Sequence, residues 1–293
     1  MKKVKALIIV IILVAISGLI YIKTQNKDIL SNRQITKNLG VKLITSNSTQ
    51  KLTQKYAKIV KNGDYTLKNP YIKANPYKTS PLTALVYFKT NQKAKVSYTV
   101  VGKTSKTSIT NSVKGYNKQH QVPVVGLYAD YKNTVKITAK FKNGKTTTKT
   151  IKIQTGKLPT YLNQSDIKVS KNDKSKMKIG KNNLTLIDRT TKQVYAVDAD
   201  GQIRWYSSNW SQHMFEQLKN GHIMVLNKAT NSGKYNVLTE TDYLGRIYRQ
   251  YTFDGTLGGN LKHEVTVIHH DLAELPNGNL LLTVSDGSKY TED

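Results

Sequence analysis

The sequence His269-His270-Asp271-Leu272-Ala273-Glu274-Leu275-Pro276-Asn277-Gly278-Asn279-Leu280-Leu281-Leu282-Thr283-Val284 has a near copy 57 positions earlier in the chain. The copy, at 212–226, repeats the order of a histidine, a leucine five residues later, Asn-Gly and an apolar run. Asn-Gly between two strand-like runs is a strong hairpin signal, because both central residues of a type I′ turn need positive φ. Each copy therefore predicts two antiparallel strands, the first of which carries a histidine.

The wider pattern around the two hairpins also recurs. Each unit contains a turn with aspartate and glycine, which is Asp-Ala-Asp-Gly at 198–201 in the first unit and Thr-Asp-Tyr-Leu-Gly at 241–245 in the second. In both units a strand-like run precedes this turn and another follows it. Sequence units of this size predict blades of a β-propeller, whose innermost strands surround a central channel. The histidines of the two copies, His213 and His270, would then face one pocket. A structural role remains open, because a histidine that begins a strand also hydrogen-bonds neighbouring loops.

The N-terminal end of the chain predicts a membrane anchor. An uncharged run of 17 residues, Ala6 to Ile22, follows Lys2, Lys3 and Lys5. Such a run fits a signal-anchor over residues 1–23, with the lysines on the cytoplasmic side. We therefore expect a single-pass protein of the cell membrane with the bulk of the chain extracellular. The chain has no cysteine, which excludes disulfide stapling and thiol mechanisms.

The net charge of +28 is distributed unevenly. Only Asp28, Asp64 and Asp130 are acidic before residue 160, whereas the other acids lie from Asp166 onwards. The lysines are scattered between strand residues and arginine is scarce, so the pattern does not favour nucleic acid as a partner. An anionic polymer of the cell envelope is the simpler partner for an exported protein.

The region before the hairpins predicts a stalk and a helix at 24–64, a β-sandwich at 65–156 and a polar linker at 157–183. In the helix, Thr49 to Lys61, the residues Leu52, Tyr56, Ile59 and Val60 recur at helical spacing, and Asn62-Gly63 ends it. The sandwich, of immunoglobulin-like type, is predicted from strand-like runs over 81–88, 95–101, 121–125, 134–141 and 146–153. It contains no cluster of catalytic residue types, which favours a platform or assembly surface.

The last region, 184–293, predicts about two blades of a propeller, so the whole chain is expected to be all-β apart from its N-terminal helices. No spacing typical of a metal site occurs, and adjacent histidines such as His269 and His270 face opposite sides of a regular strand. The sequence therefore predicts no metal and no cofactor.

Several strings resemble one known family, the bacterial PAPS-independent arylsulfate sulfotransferases. Residues 75–77, 80–85 and 124–135 are similar to its N-terminal immunoglobulin-like domain, and His270-Asp271 with Leu275-Pro276-Asn277-Gly278-Asn279 resembles the start of its propeller. The resemblance implies an exported six-bladed propeller that transfers a sulfuryl group from a phenolic sulfate ester to a phenol through a histidine intermediate. A histidine is a competent nucleophile and leaving group, while cationic donors stabilise charge on the sulfuryl oxygens.

In the family, the nucleophilic histidine lies in a segment that follows the part that this chain resembles. The resemblance therefore assigns no catalytic residue to this chain. His270 matches a substrate-contacting position, and His269 and His213 are weaker candidates for substrate binding. The chain is expected to be the N-terminal part of such an enzyme, truncated and inactive alone.

Two alternatives stay open. One is a membrane-anchored extracellular binding or scaffold module without catalysis, and the other is a lectin-like propeller that binds a polymer. The residues also leave homo-oligomerisation open.

Overall fold

The computed structural model describes residues 46–171, 184–189, 192–209, 215–227, 237–252 and 267–285. The predicted anchor at 1–23 and stalk at 24–45 lie outside these residues. Among the helices of the described ranges, none is both long enough and apolar enough to cross a membrane. The described elements are α1 Ser46–Asn62 and strands β1 Tyr71–Ala74, β2 Thr83–Val100, β3 Ile109–Ser112, β4 Asn117–Val125, β5 Lys132–Phe141, β6 Thr146–Gln154, β7 Thr185–Arg189, β8 Lys192–Val197, β9 Ile203–Tyr206, β10 Phe215–Gln217, β11 Ile223–Asn227, β12 Val237–Thr241, β13 Ile247–Thr252, β14 Val267–Glu274 and β15 Leu280–Ser285.

The helix predicted at residues 49–61 is confirmed and begins three residues earlier, at Ser46. Its apolar face packs through Tyr56 against Tyr77, Leu85 and Leu244. The hydroxyl of Tyr56 donates a hydrogen bond of 2.5 Å to the Pro76 carbonyl. The helix therefore packs both on the sandwich that follows it and on a residue near β13.

Strand β2 pairs with four other strands of the six-stranded sheet that β1 to β6 form. Its first half pairs with β1 and β4, and its second half pairs with β3 and β5, which in turn pairs with β6. Two separate strands were expected here, and they are one continuous strand of 18 residues. The exposed polar residues 91–93 separate its two buried halves, and the register with β4 shifts between Lys89 and Ala94. The shift lies between the two halves of β2, and β1 to β6 remain hydrogen-bonded in one six-stranded sheet.

The predicted alternation of β5 is confirmed. Val135, Ile137 and Ala139 are fully buried, while Lys136 and Lys140 are exposed. One face of this sheet therefore contributes to the core of the sandwich and the other faces solvent. Strands β1 and β3, of four residues each, were not predicted from the sequence.

Part of the predicted linker packs against the sheet that follows it. Leu162 is buried, and it belongs to the same apolar cluster as Tyr195 and Ile203. The side chain of Gln164 accepts a hydrogen bond from the backbone N–H of Ile203 at 2.8 Å and donates one to the Gly201 carbonyl at 2.7 Å. These contacts hold this part of the linker against β9 and the turn before it.

The strands after the linker form three antiparallel sheets in sequence order, β7-β8-β9, β10-β11-β12-β13 and β14-β15. Two turns in them share one geometry. The Asp198 carboxylate accepts hydrogen bonds from the backbone N–H groups of residues 200 and 202, and the Asp242 carboxylate accepts from those of residues 244 and 246. The predicted recurrence of an aspartate and glycine turn is therefore confirmed.

The predicted Asn-Gly hairpins are confirmed, but the predicted turn type is wrong. At Asn143-Gly144, Asn220-Gly221 and Asn277-Gly278, positive φ occurs only at the glycine. In the last of these, the Gly278 N–H donates to the Leu275 carbonyl at 3.0 Å, and the Leu275 N–H donates to the Asn279 carbonyl at 2.8 Å. This is a type I turn followed by a glycine bulge, in which each asparagine side chain accepts a hydrogen bond from the N–H two residues later.

Candidate functional site

Two of the three predicted substrate-binding histidines lie in an irregularity of strand β14. Ile268 pairs with Val284 and Leu272 pairs with Leu282, so three residues, His269, His270 and Asp271, stand opposite the single residue 283 of β15. A bulge of this kind interrupts the regular alternation of side chains. Such bulges are common next to active sites, because they redirect side chains that a regular strand would place on opposite faces.

The bulge has firm support on both sides. Ile268 and Leu272, which flank it, are buried in one cluster with Leu218, Met224 and Leu226. At the far end of β14, the Glu274 carboxylate accepts a hydrogen bond of 2.7 Å from the backbone N–H of Lys219. The histidine-bearing strand is therefore anchored to the preceding sheet by a buried apolar contact and by a polar one.

The structure places the three predicted residues differently. His269 and His270 are adjacent in the bulge, and His269 is half-buried. His213 lies outside the described residues, two positions before the first residue of β10. Two of the three histidines therefore belong to the bulge of β14, and a role of any of the three in substrate binding stays a prediction.

A second histidine site was missed by the sequence analysis. The ring nitrogen Nδ1 of His222 lies 2.6 Å from Oε1 of Glu240. The Asn220 amide donates to the same oxygen at 3.1 Å. The imidazole also stacks on the Tyr248 ring, with 4.0 Å between the ring centroids. A carboxylate at Nδ1 orients an imidazole and leaves Nε2 available to solvent or to a ligand.

A partly buried carboxyl group, Asp242, and the phenol of Tyr248 adjoin this pair. Burial raises the pKa of the Asp242 carboxyl. The hydrogen bonds that the carboxylate accepts from Arg246, Tyr248 and Leu244, and its interaction with His222, lower the pKa by a smaller amount. Burial, with the charge of Asp242, raises the pKa of Tyr248 to about 12. The Tyr248 hydroxyl donates to the Asp242 carboxylate at 3.2 Å, so the phenol is neutral at physiological pH.

The sequence gives little signal for this pair. His222 stands at the position that Asn279 occupies in the other copy of the repeat, so comparison of the copies does not single it out. Glu240 is 18 residues away, and only the pairing of β11 with β12 brings it near.

His120 is a core residue. Its ring stacks on Phe88 with 4.8 Å between centroids and lies 2.8 Å from the Thr90 hydroxyl. Burial lowers its pKa, which keeps the ring neutral. Within the described ranges, no three His, Asp or Glu side chains are grouped so that they could hold a metal ion.

Comparison with known families identifies the two parts of the chain. Residues 71–156 match the arylsulfotransferase Ig-like domain, and residues 169–293 match the arylsulfotransferase (ASST) family. No curated protein matches the chain. The matched segments cover the sandwich and all three later sheets, including the histidine bulge. The chain therefore belongs to the arylsulfotransferase family.

Proposed function

We propose that this chain takes part in sulfuryl transfer from a phenolic sulfate ester to a phenol, and that His269 and His270 contact the sulfuryl group. The observation that carries the proposal is the bulge in β14 at these two histidines, inside the segment matched to the family. His213, in the other copy of the repeat, is proposed as a further contact. The successive antiparallel sheets support an arrangement as the first blades of a propeller.

The proposed reaction proceeds in two displacements at sulfur. A histidine nitrogen attacks the sulfur of the donor ester, so an N–S bond forms while the bond from sulfur to the aryl oxygen breaks and a phenolate leaves. The acceptor phenol then attacks the same sulfur, loses its proton and releases the histidine. Splitting the transfer in this way replaces one difficult step with two easier ones.

The proposed contribution of His269 and His270 is electrostatic. Imidazole N–H groups can donate hydrogen bonds to the sulfuryl oxygens, whose charge must be stabilised in the transition state. A bulge is suited to this task because it can present neighbouring side chains toward one ligand. We do not assign the nucleophile to any described residue.

A turnover assay tests this function. A chromogenic aryl sulfate is supplied as donor with a phenol as acceptor, and release of the coloured phenol is measured for the chain and for any longer polypeptide that contains it. We expect His270→Ala to lower kcat/KM by at least about tenfold in whichever form turns over, since such contacts contribute on the order of 1.5–3 kcal/mol.

His222→Ala serves as the control, because His222 is a partly exposed histidine of the same region that is paired with Glu240. Equal losses in both variants, or none in His270→Ala, would contradict the assignment of the site to β14.

A second candidate function is a membrane-anchored extracellular module that binds an anionic polymer of the envelope. The observation that favours it is the solvent face of the sheet β3-β2-β5-β6. Lys136 lies between Thr99 and Thr150, and Lys140 lies between Lys95 and Thr146. Asp130 is the only acidic residue from 65 to 157. Hydrogen bonds between threonine hydroxyls, such as that of 2.9 Å between Thr138 and Thr148, connect neighbouring strands of this basic surface.

Binding to a polyglycerol phosphate polymer at varied salt tests this alternative. The variant with Lys95, Lys136 and Lys140 replaced by Gln should bind more weakly and show a shallower salt dependence than the wild type. The control replaces the exposed helix residues Lys51, Lys55 and Lys58, which removes the same charge elsewhere. Equal weakening by both variants would contradict a dedicated surface.

A further inference from the structure

A cavity of about 560 Å³ lies where the sandwich meets the two sheets that follow it. Strands β2 and β3 contribute Tyr98 and Ile109, β9 contributes Trp205, and the turn after β12 contributes Asp242 and Tyr243. Small-molecule sites typically have volumes of about 300–1,000 Å³ and mostly apolar linings with a few polar groups. The cavity has both properties, and none of the residues assigned above to sulfuryl contact lines it.

The polar group of interest in the cavity is the Tyr98 hydroxyl. Tyr98 is buried, and burial raises the pKa of its phenol, so the group keeps its proton. Its oxygen accepts hydrogen bonds from the Asn111 side chain at 3.3 Å and from the Val125 N–H at 3.2 Å. Both of these contacts use the oxygen as acceptor, and within the described part of the chain the hydroxyl hydrogen has no acceptor. A buried donor without an acceptor is costly, which points to a ligand oxygen as the missing partner.

The rest of the lining defines the kind of ligand. The rings of Trp205 and Tyr243 meet edge to face with 5.5 Å between centroids, and they present aromatic surface suited to another ring. No lysine, arginine or histidine is among the described residues that line the cavity, whereas Asp242 is. An anionic ester would find no positive charge there, and it would meet the field of a carboxylate.

We infer that this cavity binds a neutral phenol, whose oxygen accepts a hydrogen bond from the Tyr98 hydroxyl. The choice of a phenol rests on the proposed sulfuryl transfer, in which phenols are both acceptor and leaving group. The cavity is separate from the histidine bulge. Gly221 lines it, and the adjacent turn contacts Glu274, which lies four residues, or about 13 Å along a strand, from His270. The site would hold the acceptor or released phenol apart from the sulfuryl group.

Calorimetric titration of the wild-type chain with four ligands tests the inference. Phenol and anisole both offer an acceptor oxygen, toluene has the same ring without oxygen, and phenyl sulfate adds the negative charge. We expect phenol and anisole to bind with similar affinity and toluene about fivefold to tenfold more weakly, as expected for one buried hydrogen bond. Because phenyl sulfate is also the proposed ligand of the histidine bulge, its affinity for the cavity is measured by its displacement of bound phenol, and it should compete at least about tenfold more weakly than phenol itself. No detectable phenol binding, toluene binding as tightly as phenol, or displacement of phenol by an equal concentration of phenyl sulfate would overturn the proposal.

A pair of variants on one strand locates the site. Tyr98→Phe removes the donor, and Tyr87→Phe, at a buried tyrosine of β2 that does not line this cavity, is the control. Phenol affinity should fall about fivefold to tenfold in Tyr98→Phe only. If Tyr98→Phe does not fold, the wild-type ligand series still decides the question. Sulfuryl transfer by a wild-type protein that does not bind phenol at this cavity would refute this inference alone, and phenol binding by a wild-type protein that shows no transfer in any form would refute only the proposed function.

Discussion

The carboxylate of Asp198 and the guanidinium of Arg204 lie 2.7 Å apart with both side chains fully buried. Arg204 also donates to the carbonyls of Gly126 and Thr107, each at 2.8 Å, and stacks on the Tyr128 ring at 3.7 Å. Both carbonyls belong to the sandwich, whereas Arg204 belongs to β9. One buried cation therefore joins the sandwich to the first of the later sheets.

Removal of either charge should destabilise this junction strongly. We expect Arg204→Met to lower the free energy of unfolding by about 3–5 kcal/mol, because it leaves the Asp198 carboxylate buried without its cation. Urea denaturation measures the change. Arg249→Met is the control, since Arg249 is largely exposed and its Nε lies 3.8 Å from Glu240, and it should cost less than about 1 kcal/mol. Similar losses in the two variants would refute a structural role for the buried pair.

Two glycines with the same backbone conformation should respond differently to alanine. Gly144 has φ of 83° and open space where a Cβ would lie, whereas Gly245 has φ of 88° and its Cβ would overlap the Thr79 hydroxyl. Gly144→Ala should cost about 1–2 kcal/mol, the strain of a left-handed alanine. Gly245→Ala should cost about 1–3 kcal/mol more, because the turn must move away from the sandwich. Thermal or urea denaturation measures the loss of unfolding free energy in each variant. Equal losses would contradict a steric contact between residue 245 and Thr79.

Asp242 should contribute to the pH dependence of the free energy of unfolding. Burial raises the pKa of this carboxyl in the folded state, so the folded protein holds the proton to higher pH than the unfolded chain does. The contribution of Asp242 to stability is therefore greatest below the unfolded pKa of about 4. It falls as pH rises through the folded pKa, with a slope of at most about 1.4 kcal/mol per pH unit.

The variant Asp242→Asn isolates this effect. Its amide oxygen can still accept the backbone hydrogen bonds from residues 244 and 246, but it does not titrate. The free energy of unfolding of the wild type, relative to that of the variant, should decrease between about pH 4 and neutrality. A difference that is constant or increases over that range would contradict the raised pKa.

Local patterns predicted the elements well where one face is buried. The alternation in β5 and the helical spacing of Leu52, Tyr56 and Ile59 in α1 both identify faces that the structure buries or packs. The four-residue strands β1 and β3 are too short for such a pattern. The continuity of β2 was missed because its central residues are polar, although the backbone stays extended through them.

The contacts between the sandwich and the later sheets could not be predicted, because they join residues that are far apart in the sequence. Asp198 was predicted as part of a turn, and that prediction is confirmed, but its pairing with Arg204 requires the carbonyls of residues 107 and 126 to be in place. The cavity likewise combines residues from strands β2, β3, β4, β7, β8, β9 and β10 and from the turns at residues 221 and 242–244. His270 was proposed because a repeat marks it, whereas the bulge that contains it is visible only in the pairing of β14 with β15.

Histidine-selective NMR tests the central claim most directly. The six histidines of the chain would be labelled in the ring, assigned by single substitutions, and titrated with an aryl sulfate. We predict that the signals of His269 and His270 shift with a common saturation curve, while those of buried His120 and of His222, paired with Glu240, do not. Shifts confined to His222 or His120, or no shift at His269 and His270 at saturating ligand, would contradict a sulfate ester site at the bulge.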